Sequence, residues 1–400
     1  MKKYWKIILI SVVIVITISS YYIQLAMASK NDVSFKIETI SGNNEEINNL
    51  LLQASYHSDK AHHLLTISEG GVTVSDQMNR SFIEDLMSGR YVPLVFQNYI
   101  QEHRNFMRGK VLHESRYFED EARLIYATFL DNDQKVILGN PLTLQIDILD
   151  KHTNDSSSFK INTPAQASYD WINLTDIYVE NGKIKILASG FSMNGGQELR
   201  IFTVDENKKE FEHDLKIAPI KPDEEMYNIR LFIHSDKIQN EKYYLYYVNE
   251  NNNQFGRGQS ESIPGIMYLY NNTNNEVEEW EIPAKLKPNI GSIVVQGEYI
   301  YIPVHSVKGL ELNRYNIEKK QWEESIHHNY ANTSNFGSEP FLQLSDGKLY
   351  LVSRVSDGHL LMIDDLNTGE SLYEGKIIIE NREDVDSDYS LYINQLYIIN

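Results

Sequence analysis

The segment Asp176-Ile-Tyr-Val-Glu-Asn-Gly-Lys-Ile-Lys-Ile-Leu-Ala188 decides the fold class of this 400-residue chain. Apolar and polar residues alternate on both sides of Asn181-Gly182, a dipeptide typical of a tight turn between two antiparallel strands. Related segments recur further along the chain and turn at Gly297 and Gly347. The pattern therefore predicts β-hairpins rather than helices.

A strand of a second kind follows each hairpin and ends in a turn rich in Asp or Asn. These strands and turns are Leu144–Thr153, Leu199–Lys208, Ile266–Asn275, Leu310–Lys319 and Leu360–Gly369. Four strands make one unit, and the turn glycines repeat with a period of about 50 to 57 residues, which is typical of repeat architectures.

The repeat predicts an all-β fold, a β-propeller of about six to seven four-stranded blades. A ring of blades removes the exposed sheet edges that single blades would leave. The chain ends in a predicted hairpin, Leu391–Ile393 and Leu396–Ile399, so we expect the outer strands of that blade to come from the N-terminal region. The count is six, or seven if residues 80–115 form another blade; an array of β-sandwiches or two β domains is the alternative.

In these hairpin-plus-strand units, over roughly residues 120–400, the chain resembles exported or membrane-anchored bacterial β-propeller proteins. The Trp-Asp ending, the paired kelch glycines and an NHL-like signature are absent from the sequence. The resemblance therefore implies a fold class and no activity.

The N-terminus is predicted to direct export. Lys2, Lys3 and Lys6 precede an apolar stretch, and no charged residue occurs again before Lys30. Residues 1–29 are predicted to be a signal peptide or a transmembrane anchor, followed by a single extracytoplasmic domain over 30–400. The basic flank places the N-terminus in the cytoplasm of a single-pass membrane protein, whereas cleavage after Ala28 would give a secreted one.

The N-terminal third is the least regular part of the sequence. We predict a strand at Ser34–Ile40, a helix at Glu45–Ala54 capped by Asn43 or Asn44, and a hairpin around Glu69-Gly70-Gly71. A few short helical or irregular segments, Ser81–Met87 and Phe96–Met107, should follow. The stretch 79–117 as a whole fits no pattern.

Charge and composition exclude several classes of function. The formal net charge is −19, and without residues 1–28 it is −22, from 34 basic and 56 acidic residues. Such a surface repels polyanions, so we expect no nucleic-acid partner. The chain has no Cys, which excludes disulfides, thiolate chemistry, iron–sulfur clusters and lipid attachment through a cysteine.

The sequence carries none of the local motifs that would place a nucleophile, a phosphate or a metal. Asp384, Asp386 and Asp388 alternate but lack the Gly and Glu of a calcium loop, and the weaker Asp131-Asn-Asp133 segment with Gly139 fits no better. The pairs His62-His63 and His327-His328 would point to opposite faces of a strand. Ser55, His57 and Asp59 are close in sequence only. We therefore assign no catalytic, cofactor-binding or metal residue and expect no cofactor.

Three further features have structural interpretations. Tyr243–Tyr247 could line a carbohydrate-binding surface, although core packing is the favoured interpretation. Phe255–Pro264 is an inserted loop suited to contact a partner. Four of the Asn-x-Ser/Thr sequences, which begin at Asn154, Asn173, Asn271 and Asn332, are expected to be ordinary turn and strand residues.

The sequence favours a non-catalytic extracytoplasmic binding or sensory module that recognises an unknown protein or a small ligand. The alternative is a cell-envelope enzyme acting on carbohydrate or peptide through the propeller face, and a third possibility is a purely structural envelope protein. Buried acids that converge on one site would favour the enzyme. An open face rich in Tyr or apolar residues would favour binding.

Overall fold

The structure is a computed structural model, and the mostly β chain is described for part of its length. The described residues are 5–28, 33–58, 62–74, 94–130, 141–165, 169–192, 196–218, 227–232, 238, 241–250, 265–306, 309–329, 340–356, 358–380 and 389–398.

Three α-helices occur in the described residues, all in the N-terminal third. They are α1 (Trp5–Ala28), α2 (Leu94–Glu102) and α3 (Arg104–Met107). Short 3-10 helices cover Asn44–Ile47, Glu114–Arg116 and Ala284–Ser292. Counting only described residues, no helix reaches both the length and the apolar character of a membrane span.

Twenty-six described strands follow one another along the chain. They are β1 (Phe35–Gly42), β2 (Leu50–Ser58), β3 (His62–Ser68), β4 (Gly71–Val74), β5 (Tyr117–Glu119), β6 (Arg123–Phe129), β7 (Pro141–Asp150), β8 (Ser156–Ala165), β9 (Trp171–Glu180), β10 (Lys183–Ser192), β11 (Gly196–Asp205), β12 (Glu210–Ala218), β13 (Tyr227–Phe232), β14 (Tyr243–Glu250), β15 (Ile266–Asn271), β16 (Glu276–Trp280), β17 (Val294–Gln296), β18 (Tyr299–Ser306), β19 (Gly309–Asn316), β20 (Gln321–Trp322), β21 (Ile326–His328), β22 (Phe341–Ser345), β23 (Lys348–Val355), β24 (Gly358–Asp365), β25 (Ser371–Ile379) and β26 (Tyr389–Ile398).

The chain divides into two compact units. Unit 1 combines the two ends of the chain, Met1–Tyr91 and Asn332–Asn400, and unit 2 is the continuous stretch Val92–Ala331.

Unit 1 contains two sheets, and each of them joins the two ends of the chain. One sheet has the strand order β26-β2-β3-β4, and the other has the order β1-β25-β24-β23-β22. Strand β26 pairs antiparallel with β2, so the last described strand completes a sheet begun near the N-terminus. The predicted sharing of a sheet between the two chain ends is confirmed.

The core of unit 1 lies on the side of β2 that carries Leu52, Ala54 and Tyr56, all of them buried. These residues alternate with less buried ones, as expected for a strand with one face inward. A buried amide joins β22 to β26: Gln343 Nε2 donates to the Leu396 carbonyl at 2.9 Å, and the Leu396 N–H donates to Gln343 Oε1 at 3.2 Å. The side chain therefore pairs with the backbone of β26 as a neighbouring strand would.

Unit 2 contains the other three sheets. One has the order β5-β6-β7-β8, and a second is built on β17-β18-β19-β20, with β21 also paired to β19. The third sheet has eight strands, in which β9 to β12 and β13 to β16 are two antiparallel sets. Among the described residues, the parallel bridge between Gly196 and Tyr227 is the only strand pairing between these two sets, so each is a four-stranded element of its own.

The hairpin that decided the fold prediction is present as β9 and β10. Asn181 and Gly182 both have positive φ, 51° and 71°, as a two-residue turn of the primed type requires. Asn and Gly adopt this backbone conformation at the least steric cost. Asp346 and Gly347 turn in the same way between β22 and β23, with φ of 51° and 73°.

Two details of the predicted secondary structure are wrong. Glu45–Ala54 is not one helix: the 3-10 helix ends at Ile47, and β2 starts at Leu50. The C-terminal hairpin is a single strand, β26, because the polar pair Asn394-Gln395 forms an irregularity opposite Gln53 and Ala54 instead of a turn. The predicted cap is present, since the Asn43 side chain accepts a hydrogen bond from the Glu45 N–H.

Other predictions for the N-terminal third are confirmed where the structure describes the residues. The strand predicted at Ser34–Ile40 is β1, the hairpin around Gly70 is β3 and β4, and the helical stretch Phe96–Met107 is α2 and α3. The predicted segment Ser81–Met87 lies outside the described residues.

Candidate functional site

The candidate site is the face of the β26-β2-β3 sheet that points away from the core of unit 1. Alternation along β2 places Ser55 and His57 on this face, opposite the buried Ala54 and Tyr56. The register pairs Ser55 with Tyr392 of β26 and pairs His57 with His62 of β3. We call Ser55, His57, His62, Tyr392 and Asn394 the histidine face.

The two imidazoles are in direct contact across the strands. Nδ1 of His57 lies 2.6 Å from Nδ1 of His62, and the two rings meet edge to face with centroids 4.8 Å apart. One ring therefore donates its Nδ1 proton to the other, whose Nδ1 accepts it, so at least one imidazole is neutral in this arrangement. Both side chains belong to exposed residues, so their remaining Nε2 atoms are open to exchange with solvent.

An exposed aromatic ring borders the imidazole pair. Tyr392 is 51% exposed, and its ring meets the ring of His57 edge to face, with centroids 5.8 Å apart. Asn394 Nδ2 donates to Ser55 Oγ at 2.7 Å, which fixes the amide beside the tyrosine. The face thus presents an aromatic surface, an amide, a hydroxyl and two imidazoles within a few strand positions, a combination suited to binding rather than to core packing.

The structure brings together some of the histidine and serine residues that the sequence analysis weighed. Ser55 and His57 share the histidine face, whereas Asp59 lies outside the described residues. The prediction that His62 and His63 point to opposite faces is confirmed, because His63 stacks on Tyr56 with ring centroids 6.2 Å apart. The partner of His62 is thus His57, five residues earlier in the sequence.

The second histidine pair shows the same division: His327 is exposed and His328 is buried. Tyr243, Tyr244 and Tyr246 are buried, which confirms core packing as the interpretation of Tyr243–Tyr247.

Several candidates of the sequence analysis lie outside the described residues, and one set of Asn residues is only partly described. The structure does not describe three of these candidates: the series Asp384, Asp386 and Asp388, the Asp131-Asn-Asp133 segment with Gly139, and the loop Phe255–Pro264. Asn154 lies in a turn with φ of 60°, Asn173 and Asn271 lie in β9 and β15, and Asn332 is not described.

A second polar cluster lies inside unit 2 and is mostly buried. The Tyr244 hydroxyl donates to Asp176 Oδ2 at 2.8 Å, and both side chains are buried. Nearby, Lys185 Nζ donates to the Asn272 carbonyl and, at 2.7 Å, to Asn275 Oδ1. We call Asp176, Tyr244, Lys185, Asn272 and Asn275 the buried polar cluster.

Burial sets the protonation of this cluster. It raises the pKa of Asp176 to about 7, although the hydrogen bond from Tyr244 acts in the opposite direction. Burial also lowers the pKa of Lys185 below its usual value. The two shifts have one cause, since removal from water disfavours the carboxylate of Asp176 and the ammonium of Lys185 alike.

Many other carboxylates of unit 2 are held by cations. Arg200 donates to Glu198 and to Asp214, each at 2.6 Å. Lys110 Nζ lies 2.8 Å from Asp147 Oδ2. Burial acts to raise the pKa of Asp147, but hydrogen bonds from Lys110, Ser158 and Gln145 hold that pKa below its usual range. These acids are each held by a cation, as the acids of structural ion pairs are.

Two members of the histidine face, Tyr392 and Asn394, were missed by the sequence analysis. They lie in the segment that was predicted to be a hairpin, and a hairpin would have placed them beside a turn. The alternation of Tyr392 and Asn394 with Leu391 and Ile393 was the available signal. Among described residues, no group of three or more His, Asp or Glu side chains is placed to hold a metal ion.

No protein-family model and no curated protein matches the chain. Among solved structures, it is similar to an uncharacterized protein from Listeria monocytogenes, with 7% identity, a TM-score of 0.35, and coverage of 65% of this chain and 66% of that one. It is also similar to TolB from Acinetobacter baumannii, with 10% identity, a TM-score of 0.29, and coverage of 82% and 63%. The chain thus spans less than two thirds of the length of these two structures.

A third similar structure is the β-propeller domain of the Trilobed protease from Pyrococcus furiosus, which has an open velcro topology. The identity is 10%, the TM-score is 0.32, and 83% of each chain is covered. A β-propeller domain is thus among the structures similar to this chain. These similarities concern the fold, and no activity or partner is carried over from them.

Proposed function

We propose that this protein is a non-catalytic extracytoplasmic binding or sensory module, and that its ligand, a protein or a small molecule, is recognised on the histidine face. The observation that carries the proposal is the exposed Tyr392 ring beside the His57 and His62 imidazoles. A tyrosine that is half exposed on a sheet contributes little to the core. It offers a rigid aromatic surface to a ligand at a low cost in side-chain entropy.

The chemistry of the face favours binding over catalysis. Its side chains are an aromatic ring, an amide, a hydroxyl and two imidazoles, and none of them is a carboxylate. Paired carboxylates are the usual machinery for cleaving glycosidic bonds. A face that offers hydrogen bonds and a stacking surface without a paired acid and base is suited to holding a ligand.

The proposal includes a six-bladed propeller. The strand order supports six sets of four strands: β26 with β2 to β4, β5 to β8, β9 to β12, β13 to β16, β17 to β20, and β22 to β25. The first set takes strands from both ends of the chain, which is how closed propellers commonly join their first and last blades. The histidine face belongs to this joining blade.

The proposal also includes attachment to the outer side of the membrane, or secretion. The Lys-flanked N-terminal sequence supports it. The large apolar side chains of α1 also support it, because they are not packed against the fold: Leu9, Ile14 and Ile16 are each more than half exposed. Apolar side chains exposed along a helix favour a hydrophobic environment around it.

Single-cysteine labelling tests the location, because the natural chain contains no cysteine. In intact cells, a membrane-impermeant maleimide should label a Tyr392→Cys variant, and it should label a Lys3→Cys variant only after lysis. Recovery of a chain beginning at Ser29 from the medium would also place the protein outside the cell. Protection of both variants until lysis would contradict the extracytoplasmic location.

Ligand screening by thermal shift tests the binding function. We expect at least one class of ligand, carbohydrates or peptides, to raise the melting temperature of the full chain. We expect Tyr392→Ala, or the His57→Ala, His62→Ala double variant, to lose that shift. Ligands that stabilise the wild type and these variants equally would contradict recognition on the histidine face.

One observation favours the cell-envelope enzyme. Asp176 is an acid whose pKa, at about 7, would suit general acid catalysis near neutral pH. Its carboxyl is, however, buried and bonded to Tyr244, so a substrate would have to reach it through unit 2. Turnover of a glycoside or a peptide that is lost in an Asp176→Asn variant, with no loss of melting temperature, would support the enzyme over the binding module.

A further inference from the structure

We propose that His57 and His62 form the protein half of a site for a divalent transition-metal ion on the histidine face. The inference rests on the proposed function, because it names one ligand of that face. The starting observation is geometric: the two side chains are opposite each other on neighbouring antiparallel strands, and their Nδ1 atoms converge to 2.6 Å. No other residue needs to move to bring the two nitrogens together.

Converging imidazole nitrogens are the donor set that such ions prefer. In the hydrogen-bonded pair, one Nδ1 carries the proton and the other offers its lone pair. If the donor ring takes the tautomer protonated at Nε2, both Nδ1 lone pairs point to the same region. Because Nε2 of an exposed ring exchanges with water, this change of tautomer needs no catalyst and no net loss of a proton.

The required movement is small. Zinc binds imidazole nitrogen at about 2.0 to 2.1 Å with tetrahedral geometry, so two such nitrogens on one ion lie about 3.3 Å apart. The present separation of 2.6 Å therefore has to widen by about 0.7 Å, which small side-chain rotations of two exposed residues can supply. Each strand backbone can stay in place.

The composition of the site predicts its selectivity. Two nitrogen ligands without a carboxylate suit Zn²⁺, Ni²⁺ and Cu²⁺ and are poor ligands for Mg²⁺ and Ca²⁺, which prefer oxygen. The chain supplies two ligands, so the remaining positions would be taken by water or by donor atoms of a bound partner. Such a half-complete site should bind a free ion weakly and bind it more tightly when a second molecule contributes ligands.

The test is isothermal titration of the metal-free full chain, prepared without a histidine affinity tag, with Zn²⁺ and separately with Mg²⁺ at pH 7.5. We expect one Zn²⁺ per chain and no binding of Mg²⁺. His57→Ala and His62→Ala should each weaken Zn²⁺ binding at least tenfold. The matched control is His327→Ala, which removes an exposed strand histidine from unit 2 and should leave the affinity unchanged.

A second measurement uses the wild-type chain, so it tests the metal site even if a variant fails to fold. In the wild-type chain, Zn²⁺ should protect His57 and His62 from acylation by diethylpyrocarbonate, as read by mass spectrometry, and it should leave His327 reactive. Absence of saturable Zn²⁺ binding, or binding that survives both substitutions, would overturn the metal site.

The two proposals fail in different ways. If Zn²⁺ does not bind but a carbohydrate or peptide ligand is lost in Tyr392→Ala, the metal site is wrong and the binding face stands. If Zn²⁺ binds through both histidines but every other ligand is unaffected by changes on the histidine face, the site is a metal site only, and the broader binding function is wrong.

Discussion

The two units place their polar side chains in opposite ways. In unit 1, two imidazoles and a tyrosine stand on an open sheet face, whereas in unit 2 a carboxyl, a tyrosine and a lysine are enclosed in the buried polar cluster. Each side chain of the buried cluster contacts a partner that removal would leave unpaired. Removal of a side chain from the exposed histidine face should cost the fold little stability. We infer that the first arrangement serves recognition and the second serves structure.

The units also differ in how their stability should depend on pH. Burial raises the pKa of Asp176 to about 7 in unit 2, and in unit 1 it lowers the pKa of His359 to about 4, with help from the charge of Arg354 and against a hydrogen bond to the backbone of Leu391. Both side chains are therefore neutral over most of the pH range between about 4 and about 7. The first unit should weaken in acid, and the second should weaken as the solution becomes neutral.

The largest expected effect concerns Asp176. The folded state binds this proton more tightly than the unfolded chain, so the stability of unit 2 should fall as pH rises from about 4 to about 7. Each pH unit in that window costs up to about 1.4 kcal/mol, or about 4 kcal/mol in all. An Asp176→Asn variant should lose this dependence. Chemical unfolding followed by tryptophan fluorescence measures it, because Trp171, Trp280 and Trp322 all lie in unit 2.

The same change in an exposed acid provides the control for Asp176. Asp155→Asn, at an exposed position between β7 and β8 of the same unit, should leave the pH dependence of the wild type in place. Equal slopes of stability against pH in the wild type and in Asp176→Asn would show that the carboxyl of Asp176 is not buried as described.

The opposite dependence is expected for His359 in unit 1. The unfolded chain binds the proton more tightly than the folded state, so stability should fall as pH drops from about 6.5 to about 4. The loss is up to about 3 kcal/mol at about 1.4 kcal/mol per pH unit. His359→Gln should remove it. Hydrogen exchange of peptides from β24 and β26, compared at pH values across this window after correction for intrinsic exchange, would detect the change; no change would contradict the burial of His359.

A smaller effect is expected for Gln343. Gln343→Leu leaves the N–H and C=O of Leu396 without their side-chain partner, at a cost of about 2 kcal/mol. Faster hydrogen exchange in β26 should reveal it, with unit 2 unaffected. Gln321→Leu, at an exposed position of β20, is the matched control and should change little. Exchange in β26 that is unchanged by Gln343→Leu would contradict this bridge between β22 and β26.

The smallest effect on stability is expected on the histidine face itself. Tyr392→Ala should change the free energy of unfolding by no more than about 0.5 kcal/mol, as surface substitutions usually do. Tyr397→Ala, five residues further along β26 at a buried position, should destabilise unit 1 by about 3 kcal/mol. A loss of stability in Tyr392→Ala as large as that in Tyr397→Ala would mean that the histidine face is part of the core.

The strands of this fold were predictable where local chemistry fixes them. Asn-Gly and Asp-Gly are the dipeptides that favour a two-residue hairpin turn, so the hairpins around Asn181-Gly182 and Asp346-Gly347 followed from the sequence. Glu45–Ala54 was mispredicted because Ile47, Leu50, Leu51 and Ala54 fit a helical spacing, while Leu50, Leu52, Ala54 and Tyr56 fit a strand equally well. Pairing with β26, which is distant in sequence, decided between the two patterns.

The histidine face was not predictable for the same reason. His57 and His62 are separated by a connection whose geometry no local motif specifies, and Tyr392 is more than 300 residues from either. Only the register of β2 with both β3 and β26 brings them to one face. The buried polar cluster likewise depends on pairing β9 and β10 beside β14 and β15, and neither Asp176 nor Tyr244 is distinguished from neighbouring residues by sequence alone.

Side-chain labelling of the native full chain tests the contrast between the open face and the buried groups most directly. Diethylpyrocarbonate should modify His57 and His62, and tetranitromethane should modify Tyr392, while His359 and Tyr244 react only when the chain unfolds. Mass spectrometry assigns each modified residue. Protection of Tyr392 and the histidine pair in the native chain, or reaction of His359 and Tyr244 at the same rate, would contradict the account.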